Sequence, residues 1–383
     1  MKVLFFASTD DCLGGAKSLL ELVDLLKSNG VELLVINPFH NKLNEKLDKL
    51  GIENYSAGYH LNICRKDCKG LKFGAKYILK FIRYSLFQLR AIRYIERTVD
   101  FSSIDIIHTN NSVEDIGVYF SKKYNKPHIW HLREFGDLDF NFYYFHKNIG
   151  QYISEHSTYM VAISNAIKKA WIKKGAADSK IVTICHGVKA SIIEQAEHQN
   201  EKIRMIFAGT IIPEKGQFEF IKALTKLNEA DIEKFQLDFY GTCEDAYLKE
   251  LIDYIKENNL EQIVSFKGYT NHLNELLKEY DIGIINSRCE AMGRVTIEYM
   301  LAGLCVLASD RGANIELIDH EQYGLLYEYD NVDSIVEKLV YISNHPQEVI
   351  DIGKRARKNA MENYSIEKNV MKFIELYRRV INE

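Results

Sequence analysis

Two carboxylates eight residues apart, in Glu290-Ala-Met-Gly-Arg-Val-Thr-Ile-Glu298, are the groups best placed by type and spacing to act on one ligand. They follow the apolar run Ile282-Gly-Ile-Ile285, which reads as a buried strand. They lead into Tyr299-Met-Leu-Ala-Gly303, which reads as a helix closed by a glycine cap. This places Glu290 at the strand's carboxyl end and Glu298 about two turns along the helix; eight residues at about 100° each amount to about 800°, so the two would lie within roughly 80° of each other on the helix face. In an open α/β sheet, ligands sit outside the carboxyl ends of the strands, where helix amino termini attract anions. Carboxylates there accept hydrogen bonds from hydroxyls and repel phosphate. A molecule with both a polyol and a phosphate, such as a sugar nucleotide, meets both demands; solvated carboxylates on an amphipathic helix meet the spacing equally well.

The elements that must position these groups alternate strand and helix along the chain. Lys2 to Ala7 is an apolar strand candidate, followed by Gly14-Gly15 and an amphipathic helix from about Ala16 to Lys27. Strand, glycine turn and helix form an anion-binding arrangement, but Leu13-Gly14-Gly15-Ala16 lacks the G-x-G-x-x-G spacing of a nicotinamide or flavin site. Val31 to Ile36, Ile104 to His108, His128 to His131, Met160 to Ile163 and Ile181 to Ile184 continue the series. Polar, weakly periodic residues 189–202 read as an interdomain linker, after which the pattern restarts. Arg204 to Ala208, Gln236 to Tyr240, Ile263 to Phe266, Asp281 to Ile285 and Cys305 to Ala308 are the second set of strands. The expected fold is α/β, with two doubly wound parallel-sheet domains facing across a cleft. A length of 383 residues suits two domains.

Composition narrows the partners. A formal charge of −4 argues against wholesale nucleic-acid binding. Seven cysteines, scattered and odd in number, form no C-x-x-C and are expected as reduced thiols. The N-terminal apolar run is too short for a signal peptide and no stretch suits a membrane span, so a cytoplasmic location is expected.

One segment departs from the acidic average. Residues 65–97 hold ten Lys or Arg against Asp67 and Glu96, a net +8 that leaves −12 for the rest of a chain totalling −4. On a helical wheel Lys69, Lys72, Lys76, Lys80, Arg83 and Arg90 fall within about 80°, and Leu71, Ala75, Ile78, Leu79, Ile82, Leu86 and Leu89 fill about 100° elsewhere. The aliphatic stripe is expected to dock on its own domain. The cations, with Phe73, Tyr77, Tyr84 and Phe87 on or beside their arc, are then expected to face an anionic membrane surface. No motif for single-stranded or duplex nucleic acid accompanies the patch.

Together, several segments resemble the retaining GT-B glycosyltransferases, in particular glycosyltransferase family 4. Glu290 to Glu298 matches that family's E-x7-E motif, with Ala302-Gly303 after it. Phe207-Ala-Gly209-Thr-Ile-Ile-Pro-Glu-Lys215-Gly216 resembles its donor-phosphate segment, and Ser309-Asp-Arg-Gly312-Ala-Asn-Ile-Glu316 with Gly324-Leu-Leu-Tyr its donor-side loop and following strand. Gly14-Gly15-Ala16, His131, Ser164 and His186-Gly187-Val188 correspond in order in the first half.

The resemblance implies an N-terminal acceptor-side domain over 1–190, a nucleotide-sugar-binding domain over 203–365, and residues 366–383 crossing back onto the first. It implies that Glu298 binds the ribose hydroxyls, Glu290 the donor sugar, and Lys215 the leaving diphosphate, with Gly15 approaching the same phosphate and His131 the sugar. Gly209, Thr210, Gly216, Met292, Gly293, Arg294 and Val295 complete the donor-binding set. Thr210 stands where the family often has arginine, with Arg288 or Arg294 available to compensate, and Met292 replaces a common aromatic. The implied reaction is retaining transfer of a hexosyl unit from a nucleoside diphosphate sugar, a UDP-sugar, to an acceptor glycan or lipid-linked glycan at the inner face of the cell membrane, with no metal or other cofactor. Asp137-Leu-Asp139 resembles a metal-binding D-x-D but is expected to be incidental in this architecture. A nucleotide-sugar epimerase or hydrolase, or a non-catalytic nucleotide-sugar-binding protein, would share the same donor site.

Overall fold

Val3-Leu-Phe-Phe6 buries four consecutive apolar side chains, the signature of a strand covered on both faces, and comparable runs recur through the chain. In the computed structural model, which describes residues 1–8, 14–189, 202–319 and 321–383, these runs form two separate parallel sheets. The chain divides into two units, Met1–Gly187 with Ile366–Glu383, and Val188–Ser365. Most of the stretch read as a linker, along with Cys12, lies outside the described residues; the other six cysteines are free.

The first unit contains β1 (Lys2–Phe6), β2 (Glu32–Asn37), β3 (Glu53–Ser56), β4 (Ile63–Arg65), β5 (Ile106–Thr109), β6 (His128–Leu132), β7 (Phe142–Tyr144), β8 (Tyr159–Ala162) and β9 (Ile181–Thr183). Seven of them form one sheet in the order β3-β2-β1-β5-β6-β8-β9, while β4 and β7 pair as a separate antiparallel ribbon. The strand order reverses beside β1, so the switch point lies between the carboxyl ends of β1 and β5. The C-terminal helix, Ile366–Asn382, buries Val370, Phe373 and Tyr377 among Val3, Phe5, Leu19 and Val23 of this unit.

The second unit has β10 (Ile203–Ala208), β11 (Phe235–Tyr240), β12 (Val264–Gly268), β13 (Ile282–Ile285), β14 (Cys305–Ser309) and β15 (Gly324–Tyr327), in the order β12-β11-β10-β13-β14-β15. Its switch point falls between β10 and β13. The helix Arg294–Ala302 packs closely on β13 because Gly283 has no side chain: a Cβ there would stand 2.2 Å from the Tyr299 ring. The Tyr299 hydroxyl accepts from the Ala208 N–H at 2.7 Å, tying that helix to the end of β10.

The basic segment forms one helix, Gly70–Thr98, but with a different face inward than its periodicity suggests. Leu71, Ile78, Leu79, Ile82, Leu86 and Leu89 are exposed. The sector carrying Phe73, Tyr77, Tyr84, Gln88, Ala91 and Ile95 docks instead. Tyr77 and Phe81 meet Phe145 edge-on and Tyr84 meets it at a tilt, and Phe73 and Tyr77 meet Tyr143 edge-on. Tyr84 donates to the buried Asp115, which also accepts from Gln88 at 2.9 Å and pairs with His146 at 2.6 Å. The surface that receives the helix is aromatic and polar, so it selects the helix's aromatic and amide side chains over its leucines. Among the described residues no helix is long and apolar enough to cross a membrane.

Candidate functional site

The carboxyl ends of β10 and β13 bring the second unit's candidate residues together at its switch point. After β10, Gly209 has φ 149°, and a Cβ on its neighbour Gly241 would lie 1.9 Å from the Gly209 carbonyl, so these two loops require glycine to approach. The chain then makes a short 3₁₀ turn, Pro213–Lys215, and Gly216 adopts φ 73° to enter the helix Gln217–Leu224. Asn286, just beyond β13, donates to the Gly216 carbonyl at 2.7 Å. A Cβ on Gly216 would stand 2.5 Å from that amide nitrogen.

This anchoring delivers Lys215 to the end of β13. Its ammonium donates to the Ser287 hydroxyl at 3.0 Å and to Glu290 at 3.3 Å. Lys215 and Glu290 keep 35% and 18% of their side-chain surface exposed, so both remain open to a ligand. Ser287 is buried, and its carbonyl accepts from Ser309 at the end of β14. The Glu290 backbone is clamped from the other side: its carbonyl accepts from Ala313 at 2.7 Å, and Gly312 approaches so closely that a Cβ would come within 2.2 Å of it.

The two glutamates do not share a helix face. Gly293, at φ 74°, caps a helix that begins only at Arg294, so Glu290 belongs to the preceding loop and Glu298 to the second turn. The expected 80° separation on one face does not hold, because the helix starts after Gly293 and does not extend back to Glu290. Glu298 is buried and accepts from Arg294 Nε at 3.1 Å. Arg294 is thus committed to Glu298, whereas Arg288 is exposed beside Ser287. Thr210 is exposed, Met292 and Gly293 are buried, and Val295 is half-buried.

The remaining candidates lie in the first unit. Gly15 is in the first turn of the helix Gly14–Ser28, where the first N–H groups have no intrahelical acceptor; its carbonyl accepts from Arg133 at 3.4 Å. His131 is fully buried at the end of β6, stacked on His186 with centroids 5.2 Å apart and near Phe373. Neither ring nitrogen has a hydrogen-bond partner among the described residues. Burial, and then the neighbouring His186, hold its pKa well below the ordinary imidazole range, so it is neutral at pH 7. His108, by contrast, is hydrogen-bonded to Tyr377 at 2.7 Å and stacked on Phe5.

A polar cluster at the ends of β5 and β6 was not anticipated. Glu134 accepts from the Ser112 N–H at 2.7 Å and from its hydroxyl, while Asn111 donates to Glu114 at 3.4 Å and Arg133 to Asn110 at 3.0 Å. Burial pushes Glu134 up to about 7 and Glu114 up to about 8. The run Asn110-Asn-Ser-Val-Glu114 directly after a strand was the available signal, since polar residues there line the ligand-binding edge of such sheets.

Among the described residues no group of three or more His, Cys, Asp or Glu is arranged to hold a metal. The Asp139 carboxylate accepts from the Phe135 and Gly136 N–H groups, and Asp137 pairs with Lys174.

Residues 14–191 match the model described as Glycosyltransferase Family 4, and 188–359 the model described as Glycosyl transferases group 1. The chain belongs to glycosyltransferase family 4. Its fold is GT-B: the HepE protein of Anabaena, solved with UDP, aligns at TM-score 0.79 and 18% identity over 99% of this chain and 100% of that one. The poly(ribitol-phosphate) alpha-N-acetylglucosaminyltransferase of Staphylococcus aureus is 28% identical over 145 residues, 38% of this chain and 29% of that one. The UDP-Gal:alpha-D-GlcNAc-diphosphoundecaprenol alpha-1,3-galactosyltransferase of Escherichia coli is 26% identical over 235 residues, 58% of this chain and 60% of that one.

Proposed function

We propose that this chain is a retaining glycosyltransferase that moves a hexosyl unit from a UDP-sugar to a hydroxyl of a lipid-linked glycan during surface polysaccharide or glycan assembly. The observation that carries the donor site is the Lys215–Ser287–Glu290 constellation at the second sheet's switch point. A diphosphate leaving group develops negative charge as the glycosidic bond to it breaks, and a preoriented ammonium stabilises that charge without a metal. Lys215 supplies it, its ammonium oriented by Ser287 and Glu290. With donor bound, Glu290 accepts from sugar hydroxyls and Glu298 from ribose hydroxyls. His131, as a neutral imidazole, contributes to the sugar subsite, and the Gly15 N–H to the phosphate. The acceptor attacks the face from which the diphosphate departs, and a phosphate oxygen takes the acceptor proton. No protein nucleophile is invoked.

UDP in the HepE complex, and the UDP-galactose donor and diphosphoundecaprenol acceptor named for the Escherichia coli relative, favour this choice of donor and acceptor class. The test is incubation with a panel of UDP-sugars and a polyprenyl-diphosphate-linked sugar, with products read by mass spectrometry and the new anomeric configuration by NMR. An α-linked product from an α-configured donor is expected. Rapid donor turnover without acceptor would favour the epimerase or hydrolase, and donor binding with no turnover the non-catalytic nucleotide-sugar-binding protein. No thermal shift with any nucleotide sugar would overturn the donor site itself.

A further inference from the structure

The helix Gly70–Thr98 has three sectors rather than two. At about 100° per residue, an aliphatic sector of about 100° carries Leu71, Ala75, Ile78, Leu79, Ile82, Leu86 and Leu89, and a cationic sector of about 80° lies beside it with Lys72, Arg83 and Arg90 nearest the boundary. The third sector is the aromatic one docked on Tyr143, Phe145 and Asp115. The helix is therefore already anchored, and the aliphatic sector is not waiting for a place in its own domain's core. Leu71 is 94% exposed, and Leu79 62%. Eight of the eighteen exposed large hydrophobic side chains among the described residues belong to this one helix. Such concentration is unlike the scattered single exposures of an ordinary surface.

We propose that this aliphatic sector lies in the headgroup layer of an anionic bilayer, with the adjoining cations on the lipid phosphates. The division of labour reverses the simpler expectation: the leucines and isoleucines insert, and the lysines and arginines flank them. From Leu71 to Leu89 the stripe runs about 27 Å along a straight helix, a length suited to lying in the interface plane. Lys72, Lys80, Arg83 and Arg90 are exposed and close enough to the stripe to reach headgroups as its apolar side chains bury. Lys76 is excluded from this set, because Asp67 and the Arg65 carbonyl hold it. The acids flanking the stripe lie beyond its ends and are engaged, Asp67 by Lys76 and Glu96 by Lys123 and Tyr119.

Charge decides among occupants. A second copy docking through the same face would oppose two cationic sectors, which repel. Nucleic acid would satisfy the cations but leave the leucines in water. An anionic membrane satisfies both sectors at once. The proposal does not depend on the transfer reaction, since vesicle binding is read without donor or acceptor.

The experiment is flotation of the full chain with phosphatidylcholine vesicles with and without phosphatidylglycerol. Wild type is expected to float with the mixed vesicles and weakly with phosphatidylcholine alone. The variant Ile78→Asn/Ile82→Asn/Leu86→Gln changes only exposed side chains, so folding should persist, checked by thermal melt and UDP affinity. It should lose about tenfold or more of its vesicle partition. Lys72→Glu/Arg83→Glu/Arg90→Glu should abolish the preference for phosphatidylglycerol. Undiminished flotation of the aliphatic variant would overturn the proposal. So would absence of wild-type binding, or light scattering that shows a dimer dissolved by the aliphatic substitutions.

Discussion

Replacing Lys215 by methionine keeps most of the side chain's volume and removes its charge, and the structure separates what this should do to catalysis from what it should do to stability. The ammonium is 35% exposed and its partner Glu290 18%, so the ion pair is screened by solvent and contributes about 0–1 kcal/mol to folding. At about 2–4 °C per kcal/mol for a domain of this size, the melting temperature should move by no more than that. The effect on the reaction should be far larger, because a preoriented donor aimed at developing charge is worth about 10²–10³ in kcat, or roughly 2.7–4 kcal/mol. Ground-state affinity for UDP should fall less than kcat does, since the charge on the leaving oxygen grows only as the bond breaks. Single-turnover rates with calorimetric UDP binding give both quantities, and Lys215→Arg, which restores the cation, should recover part of the rate. A rate loss below about tenfold in a folded variant would refute the assignment of the diphosphate charge to Lys215. So would a stability loss beyond about 3 kcal/mol, which would mark the pair as structural.

Glu290→Ala should leave Lys215 without its carboxylate partner and cut turnover while UDP alone still binds, because the carboxylate is assigned to the sugar; equal loss of UDP and UDP-sugar affinity would contradict that. Gly216→Ala places a Cβ 2.5 Å from Asn286 Nδ2 in a left-handed residue, and should cost about 1–3 kcal/mol by chemical denaturation together with donor affinity. Glu298→Gln should weaken UDP binding more than it alters kcat, as read by calorimetry and steady-state kinetics. The pH dependence has a definite sign: Glu134, near 7 in the folded protein against about 4.3 unfolded, holds its proton longer when folded. Its contribution is therefore complete below about pH 4 and is lost as pH rises to about 7, at about 1.4 kcal/mol per unit; urea midpoints at several pH values should show this fall, and Glu134→Gln should make it shallower while leaving the part owed to the buried Glu114.

Much of the second unit is legible in sequence because its loops are written in residues with few conformational alternatives. Gly209, Gly216, Gly293 and Gly312 all take positive φ, and each marks a turn at a strand's carboxyl end, so order along the chain nearly determines who meets whom. Lys215 and Glu290 are brought together by such turns. Spacing also separates Glu290, at the strand's carboxyl end, from Glu298 inside the helix; what it does not reveal is that the helix starts only after Gly293, so the two share no helix face and Glu298 is paired with Arg294. The strand β3, Glu53-Asn-Tyr-Ser56, was invisible because a polar, partly exposed edge strand carries no apolar run. The ribbon of β4 and β7 was equally hidden, because its two three-residue strands are far apart in sequence.

The Gly70–Thr98 helix shows the limit of periodicity more sharply. A helical wheel sorts side chains into sectors, but which sector turns inward depends on the surface that receives it, and that surface comes from Asp115, Tyr143, Phe145 and His146, about 20 to 70 residues downstream. A buried carboxylate there gains from Tyr84 and Gln88 what no leucine could offer, because an unsatisfied buried Asp115 would cost far more than exposed aliphatic surface. The cost of that choice is a row of leucines and isoleucines in water, at about 25 cal/mol per Å² of apolar surface left exposed. A polar anchor on one sector and an unburied aliphatic sector on another are thus two halves of one arrangement. The first fixes the helix to its domain, and the second gives it a reason to meet a bilayer.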